Sequence, residues 1–115
     1  MTGSRAWSDC AAVEHALGAA FGLFRPIVIV HGACPTGADA MAAAWARRAG
    51  VEVEPWPADW PRWGKSAGPR RNQAMVNAGA RLVLAFVLPG SRGTVDCVRR
   101  AEAVGIPVRR FEAER

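Results

Sequence analysis

Apolar positions change their period along this chain, and each change marks an element. Val13, Leu17, Ala20, Phe21 and Phe24 recur at helical spacing behind Ser8 and Asp9, either of which can cap a helix from about Ser8 to Gly22. Ile27 to Val30 is a short apolar run of strand type. Gly37 to Ala49 reads as a helix ended by Gly50, a residue suited to a left-handed terminator. Val51-Glu52-Val53-Glu54 alternates, as a strand near a sheet edge does. Pro55 to Gly68 reads as a long loop with three tryptophans, and Pro69 suits the first turn of a helix ending near Gly79. The seven residues Leu82 to Leu88 are all apolar, which predicts a strand covered on both faces, within Arg81 to Leu88. A helix from about Thr94 to Val104 and a strand from Ile106 to Arg110 complete the chain.

Strands alternating with helices require right-handed crossovers and a parallel sheet. The expected fold is α/β: a Rossmann-like three-layer α/β/α sandwich with a mostly parallel sheet, formed as one domain over residues 1–115. Such a sheet has its first strand at the centre. Only Met1-Thr2 precedes the turn residues Gly3-Ser4-Arg5. The first strand is therefore expected to be truncated, with the chain as given starting a few residues late.

Composition narrows the function classes. Half of the 115 residues are apolar, which argues against disorder. No apolar run approaches the ~20 residues that span a bilayer, and no secretion signal precedes the first helix. Cys10, Cys34 and Cys97 are scattered with no CxxC, and with only His15 and His31 beside them no metal or cofactor site is expected. Reduced cysteines fit a cytoplasmic protein with no membrane association. The net charge of +5, carried by fourteen arginines and Lys65, suits anionic ligands such as nucleotides or nucleic acid.

Three loops should meet at the carboxyl edge of the sheet. In Thr2-Gly3-Ser4-Arg5, Gly3 permits the turn, Ser4 can donate to a phosphate oxygen and Arg5 offers a bidentate fork. In His31 to Asp39, Gly32 and Gly37 bring backbone near a ligand. Thr36 and Asp39 have the spacing of a capping box, a role compatible with anion binding at the same helix start. In Pro89 to Thr94, Gly90, Ser91, Gly93 and Thr94 form the best phosphate cradle, while Arg92 either clamps an anion or lies in solvent. Arg70 and Arg71 sit in the first turn of a helix, where the dipole disfavours cations, so at least one is expected to face an anion. Trp60 and Trp63 either stack on a base or pin their loop to the core. Asp39, Asp59 and Asp96 are the carboxylates placed to act as a general base, with Asp59 and Asp96 the leading pair.

Taken in order, Thr2-Gly3-Ser4-Arg5, His31 to Asp39, Pro57-Ala58-Asp59-Trp60, Gly68-Pro69-Arg70-Arg71-Asn72 and Pro89 to Thr94 resemble the SLOG superfamily, in its YspA/cpYpsA-related branch. The resemblance implies a Rossmann-like fold that binds nucleotides or their derivatives. Relatives include cytokinin-activating phosphoribohydrolases and the single-strand DNA-binding protein DprA. The hydrolases carry Pro-Gly-Gly-x-Gly-Thr-x-x-Glu; here Ser91 replaces the second glycine and Cys97 the catalytic glutamate. Either Arg70 or Arg71 takes the place of their active-site arginine. Three functions follow: a nucleotide-binding sensor or effector, a hydrolase of N-glycosidic bonds using Asp59 or Asp96, or a single-strand nucleic-acid binder. Related proteins often pair, so a homo-oligomer is also to be considered.

Overall fold

The computed structural model describes residues Met1–Ala113. Its elements run β1 (Thr2–Gly3), α1 (Cys10–Phe24), β2 (Val28–His31), α2 (Gly37–Ala49), β3 (Glu52–Pro55), α3 (Trp60–Trp63), a 3₁₀ turn (Gly64–Ser66), α4 (Ala67–Ala78), β4 (Val83–Val87), α5 (Arg92–Ala103) and β5 (Val108–Glu112). All strand pairs are parallel: β1 with β4, β4 with β5, and β2 with β3. The Met1 amine donates to the Val30 carbonyl, which sets β1 beside β2. The spatial order is thus β3-β2-β1-β4-β5, a Rossmann-like order. Because β1 is so short, the sheet divides into a three-stranded and a two-stranded part.

The first strand is short, as expected, yet the centre of the sheet is filled. Thr2 and Gly3 hold the place of the first strand, in register with Ala85 and Phe86. The Ser4 amide prolongs this pairing by donating to Phe86 O at 2.9 Å.

Alternation along β4 builds the layers. Leu84, Phe86 and Leu88 join Trp7, Val13, Leu17, Ala38, Ala42 and Ala46 in a core under α1 and α2. Val83 faces the other way, into a smaller cluster with Val76 of α4 and Ala101 of α5. Period two in a strand sends neighbours to opposite faces, so one apolar run feeds both layers. Phe86 is fully buried; Trp7 meets its ring edge-on at 5.4 Å and Phe111 stacks on it at 5.0 Å. The buried alanines Ala38, Ala42 and Ala46 recur every fourth residue on α2, giving the helix a smooth face that lies close to β1. A Cβ at Gly3 would collide with Ala38 Cβ.

Several boundaries differ from expectation. Asp9, rather than Ser8, caps α1, by accepting the Ala12 amide at 3.1 Å. The segment Pro55 to Gly68 is partly helical, because Asp59 caps α3 and Pro61 suits its first turn. As a result α4 starts at Ala67, before Pro69. No helix among the described residues is long and apolar enough to cross a membrane.

Candidate functional site

The carboxyl ends of β1, β2 and β4 open into one cleft of about 1550 Å³. The three loops named from sequence line it together: Gly3, Ser4 and Arg5; Gly32, Thr36 and Asp39; Gly90, Ser91, Gly93 and Thr94. Arg71 and Asp96 line it too. Gly37, Asp59 and Arg70 lie outside the lining. The cleft wall is cationic: Arg5, Lys65, Arg71, Arg92, Arg99 and Arg110 against Asp39, Asp96 and Glu112.

Its two helix starts differ. At α2 the first-turn amide of Ala38 donates to Ser4 O at 3.3 Å, so the protein's own backbone occupies that end. Gly37, at φ +69°, sits against the Ser4 and Arg5 carbonyls. The expected capping box is absent. The Thr36 hydroxyl turns to Arg5 O at 3.0 Å, and Asp39 accepts the Cys34 amide at 3.3 Å instead. Both contacts fasten the second loop to its surroundings, which pulls the side chains off the helix amides.

At α5 the first turn is open. Ser91 Oγ accepts the Leu88 amide at 3.2 Å, and the Arg92 amide folds back to Gly90 O at 2.9 Å. The amides of Gly93 and Thr94 belong to the first turn, which has no partners inside the helix. They find no acceptor among the described residues. The space where a Cβ would stand on Gly90 or Gly93 is empty out to 4 Å. An anion placed here would meet free N–H groups and the positive end of the helix.

Opposite this end, α4 presents its arginine pair. Arg71 turns inward and donates through Nη1 to Gly32 O at 2.6 Å and to Trp56 O at 3.3 Å. Arg70 turns outward and lies over Trp63, 3.8 Å from the ring centroid. Consecutive helical residues point about 100° apart, so only one of the two can face the cleft. The contacts select Arg71.

Asn72 is the residue that sequence reasoning passed over. It is 4% exposed. Its amide nitrogen donates to Gly93 O at 3.1 Å and to Asp96 Oδ2 at 3.0 Å, and its oxygen accepts from Arg71 Nε at 2.9 Å. One side chain thus ties α4 to the first turn of α5 and aims Arg71. The signal available was its place beside the arginine pair in Gly68-Pro69-Arg70-Arg71-Asn72.

The acidic and sulfhydryl groups are equally well placed. Asp96 accepts from Asn72 and, at 2.9 Å, from Arg100. Partial burial pushes its pKa up, but the bonds from Arg100 and Asn72 outweigh that and hold it below the usual carboxylate value. Asp59 accepts the Arg62 amide at 3.2 Å as the cap of α3. Asp39 is buried, and burial raises its pKa against the opposing pull of the Cys34 amide, His31 and Arg71. Its Oδ1 has no partner among the described residues. His31 is buried as well; its Nδ1 accepts the Ala33 amide at 3.0 Å, and burial lowers its pKa, keeping the ring neutral. Ala33 itself takes φ +60°, a left-handed conformation that costs a non-glycine residue energy. Cys97, which stands where the resemblance puts a glutamate, points into the core at 3% exposure, and burial raises its thiol pKa.

Comparison with known proteins places the chain in a family. The model of the YspA, cpYpsA-related SLOG family matches residues 1–63. The chain is also 46% identical over 119 residues to the Gene 61 protein of Mycobacterium phage D29, a match covering 96% of this chain and 93% of that protein. The chain therefore belongs to the YspA, cpYpsA-related SLOG family, a membership that suggests a nucleotide-related function.

Proposed function

We propose that the cleft binds a nucleotide or nucleotide-derived phosphorylated ligand, and that the protein acts as a sensor or effector of it. The observation that carries this reading is the contrast between the two helix starts. The α2 end is filled by Ser4 O, while the α5 end offers the Gly93 and Thr94 amides to a cationic cleft. A phosphate accepts hydrogen bonds from such amides and gains from the helix field. Arg71, held by Gly32 O and Asn72, is a preorganised second donor.

Recognition has more support than turnover. A hydrolase needs a base beside the sugar. Asp59 is engaged as a helix cap, and Asp96 is bound by two donors that lower its proton affinity. An extended nucleic-acid strand has less support than a small ligand, because it needs successive stacking surfaces, and on α3 the Trp63 ring is already engaged by Arg62 and Arg70, which leaves Trp60 alone.

The test is a thermal-shift panel of mono- and dinucleotides. A ligand at a hundredfold excess over its Kd stabilises by about 2.7 kcal/mol, a shift of roughly 10 °C in a domain of this size. Arg71→Ala should remove most of that shift. No stabilisation by any member would overturn the proposal, and release of free base from a nucleoside monophosphate would replace binding with hydrolysis.

A further inference from the structure

Two tryptophans stand on the one-turn helix α3, and their surroundings differ. Trp63, 38% exposed, already carries two cations: the Arg70 guanidinium lies 3.8 Å from its ring centroid and that of Arg62 4.7 Å away. Trp60 lines the cleft and stays 45% exposed. Its ring edge rests on α4 at Gly68, where a Cβ would come within 3.2 Å of Cη2. Over its face is the Arg5 guanidinium, 5.5 Å from the centroid. That distance falls within the range of a cation–π contact but is far looser than the Arg70 stack. Arg5 is itself exposed, on the first loop, and its guanidinium has no other partner among the described residues.

An indole anchored by one edge, with its face covered only by a loosely placed, exposed cation, is a stacking platform. Every nucleobase has a flat π-face, whereas a ribose or a phosphate has none. We infer that Trp60 is the base-recognising residue of the cleft: an aromatic base stacks on its indole while Arg5 moves off the ring toward the base or the phosphate. The inference rests on the nucleotide-binding reading and deepens it, since it requires a ligand that carries an intact base rather than a bare sugar phosphate. Gly68 is a positioning residue here. It acts only by letting the indole edge settle on α4.

The chemistry separates Trp60 from the phosphate end of the cleft. Phosphate contacts come from α5 and Arg71 and are the same for every phosphorylated ligand. Stacking adds affinity only for ligands with a ring. A base stacked on an aromatic side chain contributes enough that removing it weakens binding by roughly 5- to 150-fold.

The experiment uses the full chain and two probes, adenosine 5′-monophosphate and ribose 5-phosphate, titrated by calorimetry against wild type, Trp60→Ala, Trp60→Phe and Trp63→Ala. The nucleotide should bind wild type more tightly than ribose 5-phosphate does. Trp60→Ala should weaken the nucleotide by roughly 5- to 150-fold and leave ribose 5-phosphate within about 2-fold. Trp60→Phe should recover much of the loss, and Trp63→Ala should match wild type. Equal loss of both probes in Trp60→Ala would overturn the inference, because it would mark the residue as a support for α3. Nucleotide binding unchanged by Trp60→Ala would overturn it too, while leaving the nucleotide-binding reading intact. Failure of wild type to bind either probe, together with no stabilisation by any member of the nucleotide panel, would remove the reading and the inference together.

Discussion

Gly37→Ala isolates what holds the cleft loops together. Gly37 has φ +69°, and a Cβ built there would stand 2.6 Å from Arg5 O and 2.7 Å from Arg5 C, and closer still to Ser4 O. These are backbone atoms, so no side chain can swing away to make room. The left-handed conformation alone costs an L-residue about 1–2 kcal/mol. Overpacking a tight site adds about 1–3 kcal/mol. The expected destabilisation is therefore about 2–5 kcal/mol, or a Tm lowered by roughly 10–20 °C in a domain of this size. Part of that loss comes from the neighbouring contacts that pin the loops, Ala38 N–H to Ser4 O and Thr36 Oγ1 to Arg5 O. Gly90→Ala is the matched control. Its φ is +80°, but nothing stands within 4 Å of the added carbon, so only the conformational cost of about 1–2 kcal/mol applies. Both variants are measured by urea unfolding followed through tryptophan fluorescence. Equal destabilisation of the two would refute the packing argument, and Gly37 would then be a glycine for its φ alone.

Other outcomes follow from the same geometry. Asn72→Ala removes the side chain that bonds Gly93 O, Asp96 and Arg71, and should destabilise by about 1–3 kcal/mol while lowering nucleotide affinity; an unfolding free energy from urea titration within about 0.5 kcal/mol of wild type would refute this role. Burial holds the His31 pKa below its ordinary 6.5, so the unfolded chain takes up the proton first as pH falls below that value. Stability should decline from about pH 7 to about pH 5.5, and His31→Gln should flatten that slope. Asp39 acts in the opposite sense: its raised pKa makes the folded state bind a proton more readily, so its ionisation lowers stability as pH rises. Identical unfolding slopes for wild type and His31→Gln would sink the assignment of a neutral buried ring.

Much of the cleft was legible because its parts are local. Glycines beside apolar runs mark turns at strand ends, and parallel topology carries all such turns to one edge. This is why Ser4, Gly32 and Gly93, far apart in the chain, can be grouped from the sequence. The short helix α3 was not legible. Its cap, Asp59, and its proline carry the signal, but four residues among three tryptophans and three prolines have no apolar period to read. The capping-box spacing of Thr36 and Asp39 misled for a related reason. Spacing fixes which bonds are within reach, and the carbonyl of Arg5, thirty-one residues away, won the hydroxyl.

By itself the sequence determined the alternation of strands and helices, the parallel order they must take, and the edge where the three glycine-bearing loops meet. Those follow from period, turn chemistry and handedness, which act over a few residues. Only the tertiary structure decided which helix start is open, which arginine of the pair faces inward, and that Asn72 joins α4 to α5. Each of those depends on competition between groups distant in the chain for the same donor or acceptor. That competition has no outcome until packing brings the rivals within hydrogen-bond reach.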